Sequence, residues 1–144
     1  MDAKASGKGV SVSKGKQFPP EFRQEAVRLY RVSGRSVEHL DAVMVYDHFT
    51  AMAIMSLEDF GICKKGEGGP YVADGNLRMD SKLPVNTHGG NLSEAYIIGM
   101  THIMEGVEQM RGTAINQVPD AELALVTGGP ASLPVSGLIL GRAA

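Results

Sequence analysis

A single cysteine, Cys63, stands among 144 residues. No disulfide can close within the chain, and the count fits a reducing, cytoplasmic setting. No apolar run approaches the about twenty residues that a membrane span needs. The N-terminus carries basic residues with no apolar stretch behind them, which sets aside a secretory signal. His39, His48, His88 and His102 show no metal-ligand spacing, so no metal is expected. Gly66-Glu67-Gly68-Gly69 lacks the following lysine–serine pair of a phosphate loop and reads as a flexible glycine stretch.

What is present is the composition of one globular domain with a modest core: 43% hydrophobic and 21% charged residues. Charge is divided unevenly. Residues 1–36 hold eight basic side chains against three acidic ones, and the remainder holds six against thirteen. Such a split suggests two pieces of different origin, or a basic arm on an acidic body.

Residues 1–17 are small and polar and offer little burial to offset ordering, so they read as a disordered basic arm. Pro19-Pro20 then precedes a short helical pattern through Phe22, Ala26, Val27, Leu29 and Tyr30, ended by Ser33-Gly34. Ala42–Tyr46 is a compact apolar run suited to a buried strand. Thr50 is placed to cap a helix that carries Met52, Ile54, Met55, Leu57 and Phe60 and stops at Gly61. Residues 62–85 read as an excursion with short strands around Tyr71-Val72 and Leu77–Met79. Asn86–Gly90 is a tight glycine loop. From Asn91 or Ser93 to Arg111 the pattern predicts the longest helix, with an apolar face of Ile97, Met100, Ile103, Met104, Val107 and Met110 and a stop at Gly112. Strands are expected at Leu123–Thr127 and Val135–Leu140. The order predicts a layered α/β domain over residues 38–144, a sheet with helices, preceded by the arm and one helix.

Four segments, AVMVYDHFT (42–50), LEDFGICKKGEGG (57–69), NTHGGNLSEAYIIGM (86–100) and LALVTGG (123–129), together resemble the C-terminal half of thiolase-superfamily proteins. The branch they resemble is the lipid-transfer type, an acetyl-CoA acetyltransferase-like group linked to steroid side-chain aldolases. Residues 18–37 resemble the opening of a transposase helix-turn-helix, with only its first helix and turn. The meeting of the two near Val37 reads as a fusion or a disrupted reading frame.

The departures from the resemblance carry its chemistry. Ordinary thiolases place Asn-Glu-Ala-Phe, or His-Asp-Cys-Phe in the lipid-transfer branch, where this chain has Tyr46-Asp47-His48-Phe49. They place Gly-His-Pro at Ala95-Tyr96-Ile97 and Cys-x-Gly at Val126-Thr127-Gly128. The resemblance puts their nucleophilic cysteine in an N-terminal half that this chain does not include, and Cys63 matches neither catalytic cysteine. Thiolytic Claisen chemistry needs an activated thiolate, so thiolase activity is disfavoured. Retro-aldol cleavage needs only a base for a β-hydroxyl and an acid for the resulting thioester enolate, and tyrosine can serve in either role.

By this resemblance Tyr46, Tyr96 and His48 are the catalytic candidates. His88, Gly89 and Gly90 are the substrate-binding ones, the glycines allowing close approach and offering amides to an enolate oxygen. Read alone, the tyrosines are ordinary half-buried residues with bonded hydroxyls, His48 a polar loop residue and residues 88–90 a turn. Asp47 and Glu94 read as caps or solvated charge. Met52, Met55, Met100 and Met104 read as core or subunit packing.

The resemblance implies an acyl-CoA substrate, steroid-type or branched, with no cofactor besides. It implies a chain inactive alone, working as a homo-oligomer or with a thiolase-like, acyl-CoA-binding partner. The alternatives are a non-catalytic fragment or interaction module from gene disruption, and a conventional acyltransferase remnant. A basic arm can touch DNA phosphates, but one helix without its recognition partner cannot read bases, so specific nucleic-acid binding is not expected.

Overall fold

The computed structural model describes residues 37–129 and 136–143. The arm at 1–17 and the helix expected near 22–34 lie outside them. Three strands, β1 (Ala42–Met44), β2 (Leu123–Gly128) and β3 (Ser136–Gly141), form one sheet in the order β1-β2-β3. β1 runs parallel to β2, with Ala42 opposite Ala124 and Met44 opposite Val126. β3 returns antiparallel, with Leu140 opposite Ala124. On the far edge of β1, the Val43 amide donates to the Pro84 carbonyl and the Val43 carbonyl accepts from the Asn86 amide.

The unbroken apolar runs of β1 and β2 follow from burial on both faces, as in parallel sheets. Val43, Val45, Leu123 and Leu125 join Leu40, Leu57 and Leu83 on one side. Ala42, Met44, Ala124 and Val126 join Met110, Val118 and Ala121 on the other. The first side is covered by helix α1 (Thr50–Asp59) and the short helix α2 (Gly68–Ala73), the second by α3 (Met100–Arg111). Gly106 lets α3 lie close on the sheet: a Cβ there would stand 2.8 Å from Val126 and 2.9 Å from Leu140.

Several local expectations change. Tyr71-Val72 belongs to α2, not to a strand, because Gly68 donates to Glu58 Oε1 at 3.0 Å and Tyr71 and Asp74 close helical bonds onto Glu67 and Pro70. Leu77–Met79 lies in turns. Phe49, not Thr50, is the N-cap of α1, and no side chain caps it. The long helix begins only at Met100. Ile98 and Gly99 sit at positive φ, 54° and 83°, a conformation that a helix cannot contain. The stops at Gly61 and Gly112 hold, both left-handed with φ of 74° and 72°.

The buried face of α3 is only partly the expected apolar one: Met110 is buried and Ile103 packs on the second cluster, but polar residues share the face. Thr101, His102, Glu105, Gly106, Gln109 and Met110 are buried. Met100 and Met104 are half exposed, at 49% and 53%. No helix among the described residues is long and apolar enough to cross a membrane, and no cluster of potential metal ligands occurs among them.

Candidate active site

Tyr46 leaves the end of β1 with its backbone pinned on both sides. Its amide donates to Thr127 Oγ1 at 3.1 Å. The preceding Val45 is clasped by the Asn86 side chain, whose Oδ1 accepts from the Val45 amide at 2.7 Å and whose Nδ2 donates to its carbonyl at 2.9 Å. The ring is 4% exposed. Gly99 makes room for it, since a Cβ there would approach Tyr46 Cδ2 to 3.2 Å.

Tyr96 comes from the irregular segment ahead of α3 and is 63% exposed. The two hydroxyls, fifty positions apart in the chain, meet at 2.9 Å. Burial, then the Tyr96 hydroxyl and the nearby Asp47 charge, push the Tyr46 phenol up to about 12, so it holds its proton at neutral pH. The His48 ring stacks on Tyr46 with centroids 4.9 Å apart and an interplanar angle of 23°.

The glycine loop is anchored from beneath. Thr87 donates to Glu105 Oε1. Gln109 Nε2 donates to Thr87 Oγ1 at 3.1 Å and to Glu105 Oε1 at 3.0 Å, and Asn116 Nδ2 to the Thr87 carbonyl at 2.8 Å. His88 stands over this base with its ring edge-on to His102 at 4.9 Å. Both its ring nitrogens are buried and have no hydrogen-bond partner among the described residues. The Gly89 amide is committed to the Asn86 carbonyl at 2.7 Å, which takes it out of the expected donor pair. Gly90 is buried under Asp47, and a Cβ there would fall on the carboxylate.

Asp47 is mostly out of solvent and its carboxylate meets the short 3-10 helix Gly90–Leu92. It accepts from the Asn91 amide at 3.1 Å and from His102 Nε2 at 3.0 Å. His102 is fully buried. Burial and the neighbouring His88 lower its affinity for a proton, against the opposing pull of Asp47. Cys63 is half-buried against the first core cluster. Burial, then Glu58 and Glu67, raise its thiol, which leaves it a poor nucleophile.

Sequence reasoning therefore named six residues that the fold gathers into one region around the end of β1 and the start of α3. It missed Asn86, Gly99, His102, Glu105, Gln109 and Thr127, and the bond from His102 to Asp47. Glu105 and Gln109, four apart on a helix, were an available signal: two polar side chains sharing one stripe.

Residues 10–142 match the family described as thiolase C-terminal domain-like. The chain belongs to that family. It is 46% identical over 122 residues to the 17-hydroxy-3-oxo-4-pregnene-20-carboxyl-CoA lyase of Mycobacterium tuberculosis, covering 85% of this chain and 31% of the lyase. It is 47% identical over 122 residues to the steroid side-chain-cleaving aldolase of Thermomonospora curvata, with the same coverage of each. Among solved structures it is similar to a chain of the Ltp2-ChsH2(DUF35) aldolase, with a TM-score of 0.78 and 45% identity over 85% of this chain and 32% of that one. The chain thus spans about a third of the length of these relatives. The family match runs through the stretch compared above with a transposase.

Proposed function

We propose that this domain supplies the proton-transfer pair of a retro-aldol lyase that cleaves a C–C bond in a β-hydroxy acyl-CoA, steroid-type or branched. The observation that carries the reading is the 2.9 Å contact between the Tyr46 and Tyr96 hydroxyls. It stands where the resemblance substitutes phenols for the thiolase acid–base groups. The named activities of the two relatives at 46% and 47% identity support the same direction.

The chemistry runs without a phenolate. Tyr96, the exposed member, takes the proton of the substrate β-hydroxyl and passes its own to Tyr46. Tyr46, held as a phenol by burial, gives its proton to the α-carbon of the departing enolate. The C–C bond breaks to a ketone and a shortened acyl-CoA, and each phenol ends as it began. His88, with its two unshared ring nitrogens, is the group that would meet the thioester oxygen, while Gly90 seats the Asp47 carboxylate. His48 orients the Tyr46 ring by stacking.

The site lies open at its Tyr96 side. Leu92, Tyr96, Ile97, Ile98 and Met100 are exposed beside it, an apolar rim of the kind that marks an interaction surface. We read the chain as inactive alone and completed by a thiolase-like, acyl-CoA-binding partner or a second copy. That rim also favours the second reading, a non-catalytic interaction module. The test mixes the full chain with the N-terminal two-thirds of the mycobacterial lyase and follows ketone release from a β-hydroxy steroid acyl-CoA. Turnover in the mixture, none from either part, and a loss of about 10²–10⁴-fold with Tyr46→Phe support the lyase. Association without turnover leaves the interaction module.

A further inference from the structure

We propose that Asp47 and His102 form a positioning pair that holds Tyr46 against Tyr96 by joining three separate segments: the exit of β1, the Gly90–Asn91 turn and the first turn of α3. The proposal deepens the lyase reading and rests on it for its purpose, though not for its test.

Asp47 follows Tyr46 directly, so whatever fixes its carboxylate also fixes the phenol's backbone. Two donors from distant parts of the chain converge on that carboxylate, the Asn91 amide at 3.1 Å and His102 Nε2 at 3.0 Å. Glycine at position 90 is what allows the carboxylate to lie over the turn, because a Cβ there would occupy its place. Asn91 in turn starts the segment that leads to Tyr96 five residues on. The pair therefore holds one phenol from its neighbour and the other from the root of its loop.

His102 adds a second hold. Its ring meets the Tyr46 ring edge-on, with centroids 5.7 Å apart, while Nδ1 faces the Thr101 hydroxyl at 3.4 Å. The groups around it are Asp47, His88, Tyr46, Thr101 and the Val45 backbone, with which it makes a further hydrogen bond. Neither Asp47 nor His102 bonds a tyrosine hydroxyl, so neither is a candidate acid or base. A carboxylate and a fully buried imidazole placed directly behind the phenols, with a glycine beneath them, are costly to keep in a domain core. Fixing the geometry of a reacting pair is a use that such groups serve.

The experiment is NMR on the full chain at neutral pH, reading the nuclear Overhauser contact between the Tyr46 and Tyr96 rings. The contact is expected in the wild type and in His102→Gln, which keeps an N–H near the position of Nε2. It is expected to be lost in His102→Leu and in Asp47→Asn while the backbone amide spectrum stays that of the folded domain. A ring contact that persists in folded Asp47→Asn overturns the proposal. Should His102→Leu not fold, Asp47→Asn decides. Loss of the fold in Asp47→Asn also overturns it, since the pair would then hold the domain together and not the phenol. If the contact behaves as expected in a chain whose reconstituted form cleaves no acyl-CoA, the positioning role stands and the lyase reading falls.

Discussion

The two faces of α3 are arranged against the usual pattern of a surface helix. Its polar stripe, Thr101, His102, Glu105 and Gln109, is buried against the sheet and the glycine loop, while Met100 and Met104 look outward half exposed. An ordinary amphipathic helix does the reverse. The polar face is inside because it does positioning work that apolar groups cannot: it holds Thr87 and Asp47 through directed bonds. Met110 and Ile103 still pack inward, but Met100 and Met104 are outside in a domain that spans about a third of its relatives' length, which suits a surface meant for another body.

The comparison breaks most sharply at Glu105. Glu105→Ala removes the acceptor of both Thr87 and Gln109 inside the core, and a loss of about 3 kcal/mol is expected in urea denaturation. A loss under about 1 kcal/mol would mean that the stripe is buried incidentally. Next is the seat of the helix. Gly106→Ala puts a methyl within 2.8 Å of Val126. Overpacking of about 1–3 kcal/mol exceeds the gain of about 1 kcal/mol in helix propensity, so a net destabilisation is expected.

A third effect comes from His102, whose proton affinity is lowered on folding. The unfolded state then binds more protons below its own value of about 6.5, so stability is full above that pH and declines as pH falls through it. A thermal melt series from pH 7.5 to 5 should show this decline, reduced in His102→Gln. The smallest effect on stability belongs to the outer face. Met100→Glu with Met104→Lys should leave stability within about 0.5 kcal/mol while abolishing association seen by sedimentation. A large loss of stability would place those methionines in the core after all.

The sheet was legible because β1 and β2 are continuous apolar runs, and Gly61 and Gly112 mark helix ends by a mechanism that only glycine serves well. The stretch from Asn91 to Gly99 was not, because nothing local announces that Ile98 adopts a φ of 54°. The polar stripe of α3 was hidden for a related reason: periodicity finds apolar residues such as Met110 and Ile103 and says nothing of polar ones buried beside them. Tyr46 and Tyr96 were legible through resemblance, and their contact is geometry that spacing could not supply. The Asp47–His102 bond joins positions 55 apart and leaves no trace in the sequence.

The most direct measurement is a double-mutant cycle on the reconstituted lyase, with Tyr46→Phe, Tyr96→Phe and the pair compared by kcat/KM. If the phenols act as one relay, the double variant should be no slower than the slower single one, because either change alone stops the same proton path. Losses that simply multiply would show two phenols acting apart, and the shared proton path would be wrong.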